Sequence, residues 1–272
     1  MCKVFKITAG SYYRWQRDPI GKVARRHALL SSRIKTLFYE FKTRYGSARI
    51  TKELHAQGET ICQSTVVKLM RQMKLHARRR KRFRVTTDSN HSYRIMPNLL
   101  KRNFAVERKA QVWVSDITYI ETRAGWLYFT AILDLYDRKV VGWAMSTTMS
   151  AKQTIVAAWN MAMVNRPLHD QLIFHSDRGV QYACDEFAQM LDQNPLVSRS
   201  MSRKGDCWDN AVAESFFKSL KAEEVYLKVY QNQSDAEMAI FEYVEGFYNR
   251  NRRHSALGYL TIEEFEKLTN AA

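Results

Sequence analysis

Apolar positions in the first quarter of the chain recur at the spacing of α-helices. From Leu30 they follow one helical face until Gly46, and Ser47 is placed to cap a second helix. Ser64 is placed to cap a third helix that buries Val66 and Leu69. Three short helices separated by tight turns are the pattern of a helix-turn-helix domain.

The spacing changes to that of β-strands after residue 106. Val112–Ile120, Trp126–Asp134 and Arg138–Ser146 are strand-like runs with short turns between them, which predicts an antiparallel meander. A helix, strand, helix, strand and helix then follow over residues 150–165, 171–176, 185–192, 196–200 and about 211–224. This order predicts an α/β ribonuclease H-like catalytic domain, with a mixed five-stranded sheet and flanking helices, preceded by an all-α region.

These patterns divide the chain into five segments. We expect an N-terminal helical segment and linker over 1–26, a helix-turn-helix domain with a basic extension over 27–84, a linker over 85–106, a catalytic core over 107–224 and a C-terminal helical region over 225–272.

Charge is distributed unevenly along the chain. Residues 1–106 carry 25 Lys/Arg against 5 Asp/Glu, whereas residues 107–272 carry 18 against 22. A net charge of +20 followed by −4 predicts a polyanion-binding part joined to a metal-dependent core.

The four cysteines form no CxxC pair, so neither a zinc site nor a disulfide framework is indicated. With no signal peptide or membrane-length apolar run, we expect a cytoplasmic, nucleoid-associated protein without membrane contact.

The third helix and the segment after it carry the candidate DNA contacts. Side chains on the polar side of the helix are placed to meet bases and phosphates, and a run of basic residues follows. A plain three-helix bundle with a solvated face and a flexible charged tail is the alternative, which the position of the basic run disfavours. The candidate residues are Thr65, Lys68, Arg71, Gln72, Arg78, Arg79, Arg80, Lys81 and Arg82.

Three carboxylates carry the candidate chemistry of the second part. Asp116 lies inside an apolar strand, Asp177 closes the run LIFHS, and Glu214 lies on a helical stretch. A carboxylate in a buried strand is costly unless it is paired or binds a metal. Acids on two strands and a facing helix are placed to converge on a pair of divalent cations, the arrangement used for phosphoryl transfer.

Long motifs in both parts resemble the second-frame transposases of the insertion-sequence-three family, relatives of retroviral integrases. The matching stretches are WVSDITYI, DLYDRKVVGW, HSDRGVQY, SMSRKGDCWDNAVAESFF and YNRNRRHSALGYLT. The resemblance implies an Asp-Asp-Glu triad at Asp116, Asp177 and Glu214 that holds two Mg²⁺ ions, with Mn²⁺ as a substitute. It also implies binding to the element's inverted repeats and to target DNA, oligomers on DNA, and an upstream-frame partner or frameshift fusion.

The chain departs from the family pattern at two places. The family usually has about 35 residues between the second Asp and the Glu, and this chain has 36. We expect the loop near Asn194 and Pro195 to absorb the extra residue. Ile262 replaces a more usual proline, and Thr261 with Glu264 still forms the sequence of a capping box.

Structural roles are expected for several other polar residues. We expect Asp134 and Asp137 to end a strand, Asp206 and Asp209 to serve in caps or turns, and His175 to be a satisfied core residue.

Lys218 and Lys221 share a helical face with Glu214, which fits either contacts with DNA phosphates or a solvated Glu–Lys pair. The basic and aromatic residues of YNRNRRHSALGY are placed either to grip nucleic acid or to brace the C-terminal helix.

The sequence therefore predicts a DNA transposase that performs metal-dependent cleavage and strand transfer. Two alternatives remain at this point: a non-enzymatic DNA-binding repressor derived from a transposase, and a ribonuclease H-type hydrolase.

Overall fold

The chain divides into two units, residues 1–78 and residues 79–272. The structure is a computed structural model that describes residues 4–77, 92–204 and 206–270. Within these residues no helix is both long enough and apolar enough to cross a membrane.

The first unit consists of helices, as its apolar spacing predicts. They are α1 (Ala9–Arg17), α2 (Gly21–Glu40), α3 (Ser47–Ala56) and α4 (Gln63–Gln72). Helices α2, α3 and α4 pack on one another through buried side chains of each, which confirms the predicted helical core. Its main members are Leu30, Ile34, Leu37, Phe38, Ile50, Leu54, Val66, Leu69 and Met70.

Three local predictions in this unit are wrong. Residues 21–26, expected to be linker, form the first turns of α2. Ser47 is the first residue of α3, and Gly46 occupies the cap position without a side-chain hydrogen bond. Helix α4 begins two residues earlier than a cap at Ser64 would place it, because the carbonyl of Cys62 already accepts from the amide of Thr65 at 3.1 Å. Ser64 therefore lies inside the helix and does not cap it.

The second unit is built on the predicted five-stranded sheet. Its strands are β1 (Val112–Thr122), β2 (Gly125–Asp134), β3 (Val140–Ser146), β4 (Leu172–Ser176) and β5 (Val197–Met201). The spatial order is β3-β2-β1-β4-β5. Strands β1, β2 and β3 are antiparallel, whereas β4 lies parallel to β1 and β5 parallel to β4. The mixed sheet of a ribonuclease H-like fold is thereby confirmed.

Helices flank this sheet. They are α5 (Ala157–Asn165), α6 (Val180–Ala183), α7 (Asp185–Asp192), α8 (Ala211–Glu223), α9 (Gln233–Phe241) and α10 (Ile262–Asn270). A π-helical segment, Lys152–Val156, replaces the first turns of the helix predicted over 150–165. There the hydroxyl of Thr154 donates to the carbonyl of Ser150 at 2.7 Å, which competes with regular backbone bonding. The short α6 was not predicted.

The two places in the second unit that the sequence left in question, the loop before β5 and the start of α10, are regular. Residues 193–196 form a turn, and β5 pairs with β4 without a break from Leu172–Val197 to Ser176–Met201. The turn therefore accommodates the chain before β5 without disturbing the strand register. At α10, Thr261 and Glu264 exchange side-chain-to-amide hydrogen bonds of 2.8 and 3.1 Å, which confirms the capping box.

Aromatic side chains fill the core on both faces of the sheet. On one face Trp113, Trp159 and Phe174 meet edge to face, with ring centroids 5.4 to 5.6 Å apart. On the other face Phe129 of β2 packs against Phe217 of α8 at 6.0 Å. The second contact fixes α8 against the strand next to β1.

Gly142 on β3 is needed for the close approach of α5. A Cβ atom at this position would lie 2.2 Å from the carbonyl oxygen of Ala158 and 2.7 Å from the Cβ of Ala162. We expect Gly142→Ala to lower the free energy of unfolding by about 1–3 kcal/mol or more, because backbone atoms must move apart. Chemical denaturation measures this loss.

Gly246→Ala is the matched control, since its added Cβ meets no atom within 4 Å. It should leave stability unchanged or raise it by up to about 1 kcal/mol. Equal stability of Gly142→Ala and the wild-type protein would contradict the packing described here.

Candidate active site

Asp116 and Asp177 lie on neighbouring parallel strands. β1 and β4 pair from Val112–Ile173 to Val114–His175, a constant offset that brings Asp177 level with Asp116 just beyond the end of β4. Neighbouring strands lie about 4.8 Å apart. The Oδ1 atom of Asp116 accepts from the amide of Ile117 at 2.8 Å. Strand register therefore brings the first two predicted acids together.

The turn after Asp177 is shaped around its carboxylate. The amide of Gly179 donates to Oδ1 of Asp177 at 2.9 Å. A Cβ atom on Gly179 would lie only 3.1 Å from the same oxygen, which is closer than most real Cβ contacts. Glycine at this position therefore leaves room for the carboxylate beside the backbone.

Glu214 reaches the site from the first turn of α8. The helix packs against β1, and Asn210 just before it donates through Nδ2 to the carbonyl of Ser115 at 2.9 Å. Ser115 directly precedes Asp116, so this buried bond joins the start of α8 to the strand position that carries the first acid. Asn210 is not among the site residues predicted from the sequence, although it lies inside the CWDNAVAESFF motif.

The three acids are close enough to affect the ionisation of Asp116. Its pKa is raised well above the usual range, first by burial and then by the charges of Asp177 and Glu214. The charge of Lys221 acts in the opposite direction. Burial lowers the pKa of Lys221, and Asp116 partly offsets this. The structure thus brings the predicted triad into one electrostatic cluster, with Lys221 at its edge.

Lys218 contacts Glu214 directly. Its Nζ lies 2.8 Å from Oε2 of Glu214, and the lysine side chain is 37% exposed. The predicted common face of Glu214, Lys218 and Lys221 is therefore present. An i, i+4 Glu–Lys pair on a helix surface contributes about 0.3–0.5 kcal/mol, and the Glu214 side chain of this pair is only 16% exposed.

A buried hydroxyl pair supports the sheet beneath the acids. The hydroxyls of Ser115 and Tyr182 lie 2.8 Å apart, and Ser115 also donates to the carbonyl of Ala131 at 3.0 Å. The pKa of Tyr182 is raised well above its usual value by burial and then by Asp116 and Asp177. Tyr182 therefore stays neutral beside two acids. The sequence reasoning missed it, although it ends the HSDRGVQY motif.

The donor set of the site consists of carboxylate oxygens, the ligands that Mg²⁺ and Mn²⁺ prefer. Across residues 4–77, 92–204 and 206–270, no three His, Cys, Asp or Glu side chains are already arranged as a metal site. Glu214 is instead engaged by Lys218. The chemistry of the donors fits a divalent cation, and Glu214 has to exchange its partner to join them.

The rival acids have structural roles. Asp134 and Asp137 are fully buried and both pair with Arg166 at 2.7 Å. Asp134 also accepts from the amide of Tyr136 at 2.9 Å, which fits the predicted role at a strand end. The cap or turn role expected for Asp209 is wrong, because its buried carboxylate accepts from side chains of three other residues.

His175 is the satisfied core histidine that the sequence predicts. It is completely buried, with Nδ1 2.8 Å from the hydroxyl of Ser200 and Nε2 3.1 Å from that of Ser202. Burial lowers its pKa to about 4, so the ring is neutral at physiological pH.

The basic residues near the C terminus mostly brace the fold. Arg252 is 4% exposed and forms two hydrogen bonds with Glu223, of 2.8 and 2.7 Å. The hydroxyl of Tyr243 donates to the same carboxylate at 2.8 Å. Arg253 is also buried and pairs with Glu264 of α10 at 3.0 Å. Of the two interpretations of this segment, bracing of the C-terminal region therefore applies to Arg252 and Arg253.

The candidate DNA contacts on α4 lie where the sequence predicts. Lys68, Arg71 and Gln72 are exposed and Thr65 is half-buried, whereas Val66, Leu69 and Met70 of the same helix are buried. Arg78, Arg79, Arg80, Lys81 and Arg82 lie outside the described residues.

Comparison with known proteins identifies the relatives of both units. The HTH-like domain family matches residues 24–83, and integrase core domain families match residues 106–207 and 196–261. The transposase InsF for insertion sequence IS3A of Escherichia coli is 37% identical over 268 residues, which cover 98% of this chain and 92% of that protein. An insertion element IS600 uncharacterized 31 kDa protein of Shigella sonnei is also 37% identical, covering 98% of this chain and 97% of that protein.

The chain belongs to the insertion-sequence-three family of transposases. Solved structures with some likeness include the catalytic domain of the Mos1 mariner transposase, with a TM-score of 0.44 and 11% identity over 50% of this chain and 70% of that one. The HTLV-2 integrase catalytic core domain in complex with magnesium has a TM-score of 0.41 and 16% identity over 58% and 96%. The family assignment rests on the sequence relatives.

Removing Arg252 tests the bracing role in this family member. Arg252→Ala leaves Glu223 buried without its cation, and we expect a loss of about 3–5 kcal/mol in the free energy of unfolding. Arg250→Ala is the control, because Arg250 is exposed in the same segment and should change stability by no more than about 0.5 kcal/mol. Similar unfolding midpoints for both variants in urea would argue against the brace.

Proposed function

We propose that the protein is a DNA transposase that binds the terminal inverted repeats of its element and cuts and joins DNA ends at Asp116, Asp177 and Glu214. The observation that carries this proposal is the electrostatic cluster, in which Asp177 and Glu214 both raise the pKa of Asp116. Membership of a transposase family with an integrase core supports the same chemistry. The activity is a DDE-type polynucleotidyl transfer.

Asp116, Asp177 and Glu214 would hold the divalent cations. Two Mg²⁺ ions, or Mn²⁺ in their place, would supply activation of the attacking oxygen and stabilisation of the leaving oxygen. The protein orients the acids through strand register, the Asn210–Ser115 bond and the packing of α8. Lys218 balances the charge of Glu214 while the acid lacks other partners.

The helix-turn-helix unit would provide most of the DNA affinity. Lys68 and Arg71 are exposed on α4, and Thr65 and Gln72 share the helix with them. The net charge of +20 over residues 1–106 favours binding to DNA phosphates. The basic run Arg78–Arg82 contributes five of these positive charges. We infer that the protein acts on DNA in the bacterial cytoplasm, as an oligomer and together with the product of an upstream frame.

A DNA-binding repressor is the second candidate function. It would use the same helix-turn-helix unit and would not need the acids. The preserved cluster argues against it, because gathering three carboxylates costs stability that a repressor has no reason to bear.

Each acid should be indispensable for the reaction. We expect Asp116→Asn, Asp177→Asn and Glu214→Gln each to abolish Mg²⁺-dependent cleavage and strand transfer, because the cations lose a ligand. Binding to the inverted repeats should persist, since the helix-turn-helix unit is unchanged. Asp185→Asn, which alters an exposed acid nearby in sequence, is the control and should remain active. Full strand transfer by any of the three variants would contradict the assignment of these residues as the catalytic acids.

Replacing the two lysines of α8 should weaken the binding of DNA ends. If both contact phosphates, replacing both with Ala lowers the salt slope of binding to cleaved ends by about 2, or about 0.9 for each contact. Fluorescence anisotropy over a salt series measures the slope for the double variant and each single variant. An unchanged slope in all three would leave Lys218 as a simple partner of Glu214.

A further inference from the structure

The segment just before the catalytic sheet is bound to the loop that leads into α8. We call residues 97–102 the strap. Its Leu99 amide donates to the hydroxyl of Ser200 at 2.9 Å, and the carbonyl of Pro97 accepts from the amide of Met201 at 3.4 Å. Leu100 is only 3% exposed. The sequence suggested a linker over 85–106, but this part of it is fixed against the end of β5.

Two side chains of the strap reach the buried carboxylate of Asp209. Nδ2 of Asn98 donates to Oδ2 at 2.8 Å, and Nε of Arg102 donates to Oδ1 at 2.9 Å. Arg203 of the loop supplies three further donors, its amide, Nε and Nη2, each at 2.9 Å. Arg203 first, and Arg102 in addition, hold the pKa of Asp209 well below its usual range.

Asp209 lies two residues before the start of α8, the helix that carries Glu214. It directly precedes Asn210, which bonds to β1 beside Asp116, and α8 begins at the next residue. Arg203 belongs to the same loop as Asp209, so its bonds tie the loop to itself. Asn98 and Arg102 instead tie the loop to a separate segment that is anchored on β5.

The backbone of the strap is held in a conformation that is uncommon for these residues. Lys101 and Arg102 have φ angles of 47° and 63°, in the left-handed region. Non-glycine residues persist there when surrounding contacts determine the conformation, and such residues cluster at functional sites. Asn98 supports the turn, because its Oδ1 accepts from the amide of Lys101 at 2.8 Å. The turn directs Arg102 towards Asp209.

We propose that Asn98 and Arg102 are positioning residues for catalysis, which act through Asp209 to set the start of α8 and thereby Glu214. The inference rests on the proposed function, because Glu214 is taken there as an active-site acid. A purely stabilising strap would affect folding alone. A positioning strap affects turnover and the local order of α8 while the fold stays intact.

The test uses the full chain with Arg102→Ala, Asn98→Ala and Arg102→Lys. Arg199→Ala is the matched control, since Arg199 lies on β5 and pairs with Asp192 at 2.9 Å instead of Asp209. Three quantities are measured: kcat and KM for Mg²⁺-dependent cleavage of an inverted-repeat end, amide hydrogen exchange over residues 209–214, and the melting midpoint.

We expect both Ala variants to exchange faster at 209–214 and to lose about 10- to 100-fold in kcat, with KM for DNA unchanged. The midpoint should fall only slightly, because Arg203 keeps its three hydrogen bonds to Asp209. Arg102→Lys should recover part of the loss, because it keeps the charge without the guanidinium geometry. Arg199→Ala should retain wild-type kcat and exchange.

Wild-type kcat in both Ala variants would overturn the inference, as would a loss of kcat that only follows a lower midpoint. A wild-type protein that cuts no DNA would count against the proposed function instead. In that case hydrogen exchange still tests whether the strap anchors the start of α8. Faster exchange over residues 209–214 in the Ala variants supports the anchoring, and unchanged exchange overturns it.

Discussion

The close approach of Asp116, Asp177 and Glu214 destabilises the folded second unit. Like charges in a partly buried site raise the free energy of the folded state. Burial first, and then the charges of Asp177 and Glu214, raise the pKa of Asp116. A protein that gathers such acids needs a rigid frame to hold them and a cation to neutralise them. The remaining features of the unit are best understood as parts of that frame.

Strand pairing holds two of the acids, and the placement of a helix holds the third. Asp116 and Asp177 are aligned by the pairing of β1 with β4, and the small Gly179 leaves space for the second carboxylate. Glu214 depends on the placement of a helix, which Asn210 and the aromatic contacts of Phe217 fix. At the far end of α8, the buried Glu223–Arg252 pair joins the helix to the C-terminal region. The helix is therefore secured at both ends.

Periodicity was sufficient to predict the strands and their order along the chain, and the long motifs placed the three candidate acids on β1, after β4 and on α8. Alternation of apolar residues follows directly from the two faces of a sheet, so β1 to β5 were found within one or two residues of their bounds. The hydrogen bonds from Asn98 and Arg102 to Asp209 could not be predicted from local sequence patterns, because both residues are more than a hundred positions away from Asp209. The predicted helix caps at Ser47 and Ser64 were wrong for a local reason. In each case the cap position is occupied by a residue that precedes the serine, namely Gly46 and Cys62.

Cation binding by the acidic cluster is the central claim, and thermal unfolding of the full chain across a Mg²⁺ series tests it most directly. A ligand that binds only the folded state raises its stability in proportion to the logarithm of its concentration above the dissociation constant. We expect Mg²⁺ to raise the wild-type midpoint, whereas Asp177→Asn should begin at a higher midpoint without Mg²⁺ and barely respond to it. An equal Mg²⁺ response in the wild-type protein and in Asp177→Asn would contradict cation binding by the three acids.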